Sequence, residues 1–288
     1  MLWFSSADAQ LRFMANDAID SQASSDTWGK TAMIVGHPGH ELMVYHWMET
    51  VQPIYFCLTE GSGGSSASRL HSSLHILDSL GLSRGSVVGR YTDKELYQLI
   101  LGTRTDVFIG LVCELTDAMI NAEIDSVIGD AIEGFNPVHD ICRFLIDGAV
   151  NRVSNLTGRI VRNYDFVLDS QPDSCPEHLR GKAKWLNLDE AALERKLNAA
   201  RTYPELEGEV EGALARFGRQ AFSRECFRPA ASHVMTKQFE KLIPDYERYG
   251  IMRVNEGRYT EVIRYRQHIC PIIEAIDEFN GLYLAEAC

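Results

Sequence analysis

From residue 30 to about residue 170, short apolar runs alternate with segments of helical periodicity. Thr31–Val35, Ile54–Thr59, Ser86–Tyr91, Val107–Val112, Ser126–Ile132 and Arg159–Leu168 read as strands. Most are continuous apolar runs, as strands covered on both faces require. Between them, Arg69–Leu80 carries leucines at 70, 74, 77 and 80 and stops at Gly81, which predicts a helix. Leu96–Leu101, Thr116–Asn121 and Ile141–Val150 have helical spacing too. Strands alternating with helices predict right-handed βαβ units, hence an α/β fold: a Rossmann-like, mostly parallel sheet with helices on both faces.

The pattern changes after residue 170. Asp169–Gly181 is rich in Pro, Ser, Asp and Cys and reads as a loop. Asn187–Phe222 is helical in spacing and dense in charge, Tyr259–Tyr265 reads as strand or loop, and Pro271–Phe279 as a last helix. Residues 1–182 are therefore expected to form the α/β domain, and residues 183–288 a mainly helical C-terminal region.

With 288 residues, 45% of them hydrophobic and 24% charged, a sizeable core can form. The net charge is −12 and no basic run interrupts it, which argues against nucleic acid and anionic membranes as partners. The seven cysteines form no CxxC, and Cys57, Cys113 and Cys142 sit in apolar surroundings, so a reducing, cytoplasmic setting is expected. The first 28 residues contain neither a signal-peptide apolar stretch nor a run long enough to cross a bilayer.

Two segments carry the chemistry. Gly36-His37-Pro38-Gly39-His40-Glu41 ends the first predicted strand, where ligands bind in open α/β sheets. Glu133-Gly134-Phe135-Asn136-Pro137-Val138-His139-Asp140 ends a later strand and opens a helix, whose N-terminal partial charge favours a neutral imidazole at His139. Taken alone, either segment also fits a capping or packing histidine.

Together they resemble the LmbE/PIG-L N-deacetylases, which place a His-Pro-Asp-Asp-Glu motif after the first strand and a His-Pro-Asp-His motif before a later helix. Here these read His37-Pro38-Gly39-His40-Glu41 and Asn136-Pro137-Val138-His139. Leu58-Thr59-Glu60-Gly61 is similar to the family's Thr-Asp-Gly turn, and Arg69 to its substrate-facing arginine. The resemblance covers roughly residues 30–150 and implies that His37, His40 and His139 ligate one metal ion. Three imidazoles suit Zn²⁺ with a coordination position left open, and Fe²⁺ or another divalent ion would also accept them.

Two departures bear on mechanism. Gly39 stands where the family has its general base, and Asn136 where a histidine assists the oxyanion. Asn136 can still donate a hydrogen bond to an oxyanion. A substitute base would have to come from Glu41, Asp130, Glu133 or Asp140, with Asp140 or Glu41 the expected catalytic group beside Asn136. Arg69, Gly63 and Glu133 are the candidate contacts to a small-molecule substrate.

The expected function is a metal-dependent, zinc-first hydrolase of an amide bond, an N-deacetylase of an N-acylated sugar or amino compound. The alternatives are a non-catalytic metal- or ligand-binding protein on the same fold and a three-His metalloenzyme with redox chemistry. The run Gly61–Ser66 reads as a loop over the active site. His46, His71 and His75 find no third ligand, and Tyr45 and Trp47 fit core or pocket equally. The segment from Pro244 to Arg266, dense in Tyr and Arg, reads as Arg packing on aromatic faces. A cover for the crevice or a contact in a homo-oligomer is the alternative.

Overall fold

A computed structural model describes residues 28–63, 67–230, 239 and 242–281. The reading of the extreme N-terminus and the tip of the glycine-rich run, Gly64–Ser66, lie outside the described residues. Among the described residues no helix is long and apolar enough to cross a membrane.

The chain runs β1 (Thr31–Val35), α1 (Tyr45–Val51), β2 (Ile54–Thr59), α2 (Leu70–Leu80), β3 (Arg84–Tyr91), α3 (Asp93–Leu101), α4 (Thr105–Asn121) and β4 (Ser126–Asp130). It continues through α5 (Pro137–Thr157), β5 (Arg162–Phe166), β6 (Lys184–Asn187), α6 (Glu190–Arg201) and α7 (Glu207–Phe217). The last elements are β7 (Arg224–Pro229), α8 (Asp245–Asn255), a π-helical turn Tyr265–Ile269 and α9 (Cys270–Phe279).

The seven strands form one sheet of order β3-β2-β1-β4-β5-β7-β6. β1 to β5 pair in parallel, and β7 runs antiparallel to both β5 and β6. The order reverses between β1 and β4, so their carboxyl ends flank the crevice at the sheet's switch point.

Alternation along the strands builds two cores. Ala32, Ile34, Phe56, Leu58 and Val127 face α3, α4, α5 and α9. Met33, Val35, Tyr55, Cys57 and Ile128 face α1, α2 and Phe227 of β7. Tyr45 and Trp47 belong to this second core. On the first face, Gly148 lets α5 approach α9, because a Cβ there would lie 2.6 Å from Ile276 Cγ2 and 3.3 Å from Val112 Cγ2.

Two regions depart from the pattern-based expectation. Val107–Val112, read as a strand, belongs to α4. Its apolar positions continue through Leu115 to Met119 at helical spacing, and they bury one stripe, Phe108, Leu111, Val112, Leu115 and Met119, against the first core. β6 and β7, in a region read as mainly helical, extend the sheet past β5. Tyr259–Tyr265, read as strand or loop, is a loop up to the π-helical turn that begins at Tyr265.

Candidate metal centre

β1 ends at Val35, and the chain turns through Gly36-His37-Pro38-Gly39 into a short 3₁₀ helix, His40–Val44. β4 ends next to it at Asp130, and α5 begins at Pro137 with Asn136 as its cap. Pro at the first position of α5 has the backbone angle a helix start needs and lacks the N–H that would go unpaired there. The two segments bring three histidines together. Ring centres are 5.3 Å apart for His37 and His40, 5.1 Å for His37 and His139, and 4.5 Å for His40 and His139.

Hydrogen bonds fix which nitrogen faces inward. Thr59 Oγ1 has two acceptors for its one proton, Gly36 O at 3.0 Å and the Asp93 carboxylate. At 2.8 Å from His37 Nδ1 it can therefore only accept, so Nδ1 carries a proton. Asp93 Oδ1 lies 3.0 Å from the same Nδ1. His37 Nε2 is buried and has no partner, and so is His139 Nδ1. His40 Nδ1 sits 2.9 and 3.0 Å from the two oxygens of Asp130, whose Oδ2 also accepts from Gly36 N–H at 2.8 Å.

The electrostatics follow from burial. Burial, and then the neighbouring His40 and His37, push the pKa of His139 well below the usual imidazole value, so its ring is neutral and able to ligate. Burial works against the charge of Asp93, but the hydrogen bond and charge of His37, aided by Thr59 and Gly63, hold its carboxyl down to about 2.

The donor set fits a divalent cation of zinc type. Three imidazoles sharing a tetrahedral ion at Zn–N of about 2.0–2.1 Å have ring centres about 5 Å apart. Orphaned, buried ring nitrogens on His37 and His139 are unexplained without a partner of that kind. Among the described residues no His, Cys, Asp or Glu group has its donor atoms already drawn around one point. The ring centres themselves lie within 5.3 Å of one another.

The other sequence-read residues divide. Arg69 caps α2, and its Nη2 lies 3.6 Å from Glu209 Oε1. A side chain at Gly63 would come within 3.9 Å of Arg69 Nη2, so the two sit together. Gly63 N–H donates to Asp93 Oδ2 at 2.5 Å, tying this turn to the His37 side of the centre. Asn136 Oδ1 accepts from Val138 N–H at 2.9 Å, and the side chain hydrogen bonds Tyr97.

The carboxylates are committed elsewhere. Glu41 is fully buried and bonds Gly39 N–H, Tyr55 Oη and Ser73 Oγ. Glu133 accepts from the N–H groups of Leu168, Asp169 and Ser170. Asp140 accepts from the N–H groups of Glu133 and Gly134 through Oδ1, and burial lifts its carboxyl to about 8. His71 and His75 lie on the exposed side of α2, and His46 pairs with Glu49 at 2.9 Å.

Sequence reading missed Asp93. Its place one residue after Thr92, with Glu95 closing a capping box, marks a helix start and gave no sign of a histidine partner. It also missed the cover. Tyr203 Oη reaches Arg69 O and Ser73 Oγ, both at 2.9 Å, and Leu206 packs over Gly39.

No family model matches the chain, and no curated protein matches it. Solved structures similar to it include the N,N'-diacetylchitobiose deacetylase from Pyrococcus horikoshii, at 16% identity over 81% of this chain and 96% of that one, TM-score 0.45. The A40926 pseudoaglycone deacetylase Dbv21 matches at 17% identity over 69% of this chain and 96% of that one, TM-score 0.45. A zinc-inhibited form of the teicoplanin deacetylase Orf2 matches at 10% identity over 70% and 97%, TM-score 0.44. Function has to be read from the site's own geometry.

Proposed function

We propose that this chain is a metal-dependent hydrolase of an amide bond, of the LmbE/PIG-L deacetylase kind, in which His37, His40 and His139 hold one divalent cation, zinc first. What carries the reading is the convergence of three imidazole rings within 5.3 Å of one another at the switch point of the sheet. A divalent cation there would polarise a carbonyl and acidify water at its open position.

The chain's own residues supply the rest. Arg69 and Gly63, side by side at the rim, orient a small N-acylated sugar or amino compound. Asn136 has spent its carbonyl oxygen on the α5 cap, so its amide group, which also bonds Tyr97, is the part left to donate to a developing oxyanion. Glu41, Asp130 and Glu133 are held by other partners, and Asp140 is buried and protonated up to about 8. The proton therefore leaves without a contacting carboxylate, which forgoes about 10²–10⁴-fold in rate. All three ligands lie within residues 1–182, and the chain beyond contributes the cover through Tyr203, Leu206 and Glu209.

Release of primary amine from N-acetylglucosamine and its conjugates tests the reading, with His139→Ala as control. Amine release that survives in the variant removes the metal mechanism. The packing of Leu206 over Gly39 favours a second reading, a metal- or ligand-binding protein without turnover. It is supported if the wild-type protein binds zinc yet releases no amine from any member of that panel.

A further inference from the structure

Asp130 is fully buried and Asp93 is only 4% exposed. Burying a carboxylate is costly unless hydrogen bonds and an opposite charge compensate it. Among the described residues, neither is bonded to a lysine or an arginine. Asp130 hydrogen bonds the Gly36 N–H and His40 Nδ1; Asp93 accepts from the Gly63 N–H, and its Oδ1 lies 3.0 Å from His37 Nδ1. Each carboxylate thus faces one histidine of the cluster, on the ring nitrogen opposite to the one left for a ligand. Two carboxylate charges also balance a divalent cation held by three neutral imidazoles.

We propose that Asp130 and Asp93 are positioning residues for the metal centre, an inference that rests on the metal reading above. Asp130 holds His40, and Asp93 together with Thr59 holds His37, in the Nδ1–H tautomer with Nε2 aimed at the cation, and each carboxylate supplies one of the two charges that neutralise it. Carboxylate partners of this kind orient ligating histidines and raise their basicity. Asp93 does a second thing: through Gly63 it joins the rim turn that carries Arg69 to the His37 side of the metal site.

Zinc titrated against a chromophoric chelator tests this in the full-length protein, with Co²⁺ absorption as a second readout. Asp130→Asn and Asp93→Asn should each weaken zinc binding by about 10–100-fold and shift the cobalt spectrum. Glu49→Gln, which breaks the His46 pair outside the cluster, should change neither. Circular dichroism confirms folding, and Asp130→Glu, which keeps the charge, should recover part of the loss if Asp130→Asn does not fold. Wild-type zinc binding with both Asn variants equal to it in affinity and spectrum overturns this inference and leaves the metal reading standing. A wild-type protein that binds no zinc overturns the metal reading itself.

Discussion

Leu206 fills the space that a side chain on Gly39 would occupy: a Cβ there would lie 2.4 Å from Leu206 Cδ1. Gly39 also has φ +100, a conformation that residues with a Cβ rarely adopt. The position that carries a base in the resembling family is closed here by the backbone and by the neighbour together. Gly39→Asp should therefore lower the melting temperature and leave amine release unchanged. Gly39→Asp combined with Leu206→Ala should release more amine than Gly39→Asp alone. A rise in activity with the single substitution would show that position 39 is open after all.

Metal dependence should be visible in stability before any substrate is known. A ligand that binds only the folded protein stabilises it by RT ln(1 + [L]/Kd), about 2.7 kcal/mol at a hundredfold excess over Kd. Zinc should raise the melting temperature of the wild-type protein and a chelator should lower it again. His37→Ala and His139→Ala should lose most of this shift. An equal shift in all three proteins would place the bound metal elsewhere.

The three histidines drew notice in the sequence because they sit in two short segments, each ending a strand, and strand ends show in an apolar run. The ligand role of His37, His40 and His139 came from the family resemblance, and the structure brings their rings within 5.3 Å of one another. Asp93 could not, because its role depends on β3 lying beside β2, a relation between elements that no local pattern states. The misreading of Val107–Val112 has a different cause. An apolar run of six residues is the same in a buried strand and in a buried helix stripe, and only the continuation of the stripe to Met119 separates them. β6 and β7 were missed because they are short and mix charge with apolar positions, as Arg224-Glu225-Cys226-Phe227 shows. Edge and antiparallel strands with one wet face lack the continuous signal of β1 or β4.

Glu225 fastens α6 and β7 to the start of α1. It is 1% exposed and accepts from His46 N–H, Trp47 N–H and Lys196 Nζ, the last at 3.0 Å. Lys196 is itself 2% exposed, so removing the carboxylate strands a buried ammonium. Glu225→Ala should cost about 3–5 kcal/mol in urea denaturation. Adding Lys196→Met should return part of that loss, since the charge and its uncompensated desolvation go together. A double variant no more stable than Glu225→Ala would mean that the backbone bonds at His46 and Trp47, and not the ion pair, account for the whole effect.

Asp140 should impose a pH dependence of the opposite sense to the usual carboxylate. Burial raises its pKa from 3.8 to about 8, against the pull of the Gly134 and Glu133 N–H groups. Its Oδ2 and the Tyr246 hydroxyl are both buried without partners, so the two N–H groups on Oδ1 are all that favours a charge there against burial. A folded-state pKa above the unfolded value means the folded protein binds the proton more tightly. The stability this confers is full below about pH 4 and is lost as pH rises toward 8, by at most about 1.4 kcal/mol per pH unit. Asp140→Asn removes the titration and keeps the shape of the neutral acid. The variant should lose less stability than the wild type between pH 5 and pH 8.5, measured by urea denaturation of the metal-free proteins at each pH. Parallel pH profiles for the two would mean that Asp140 does not hold its proton in the folded state.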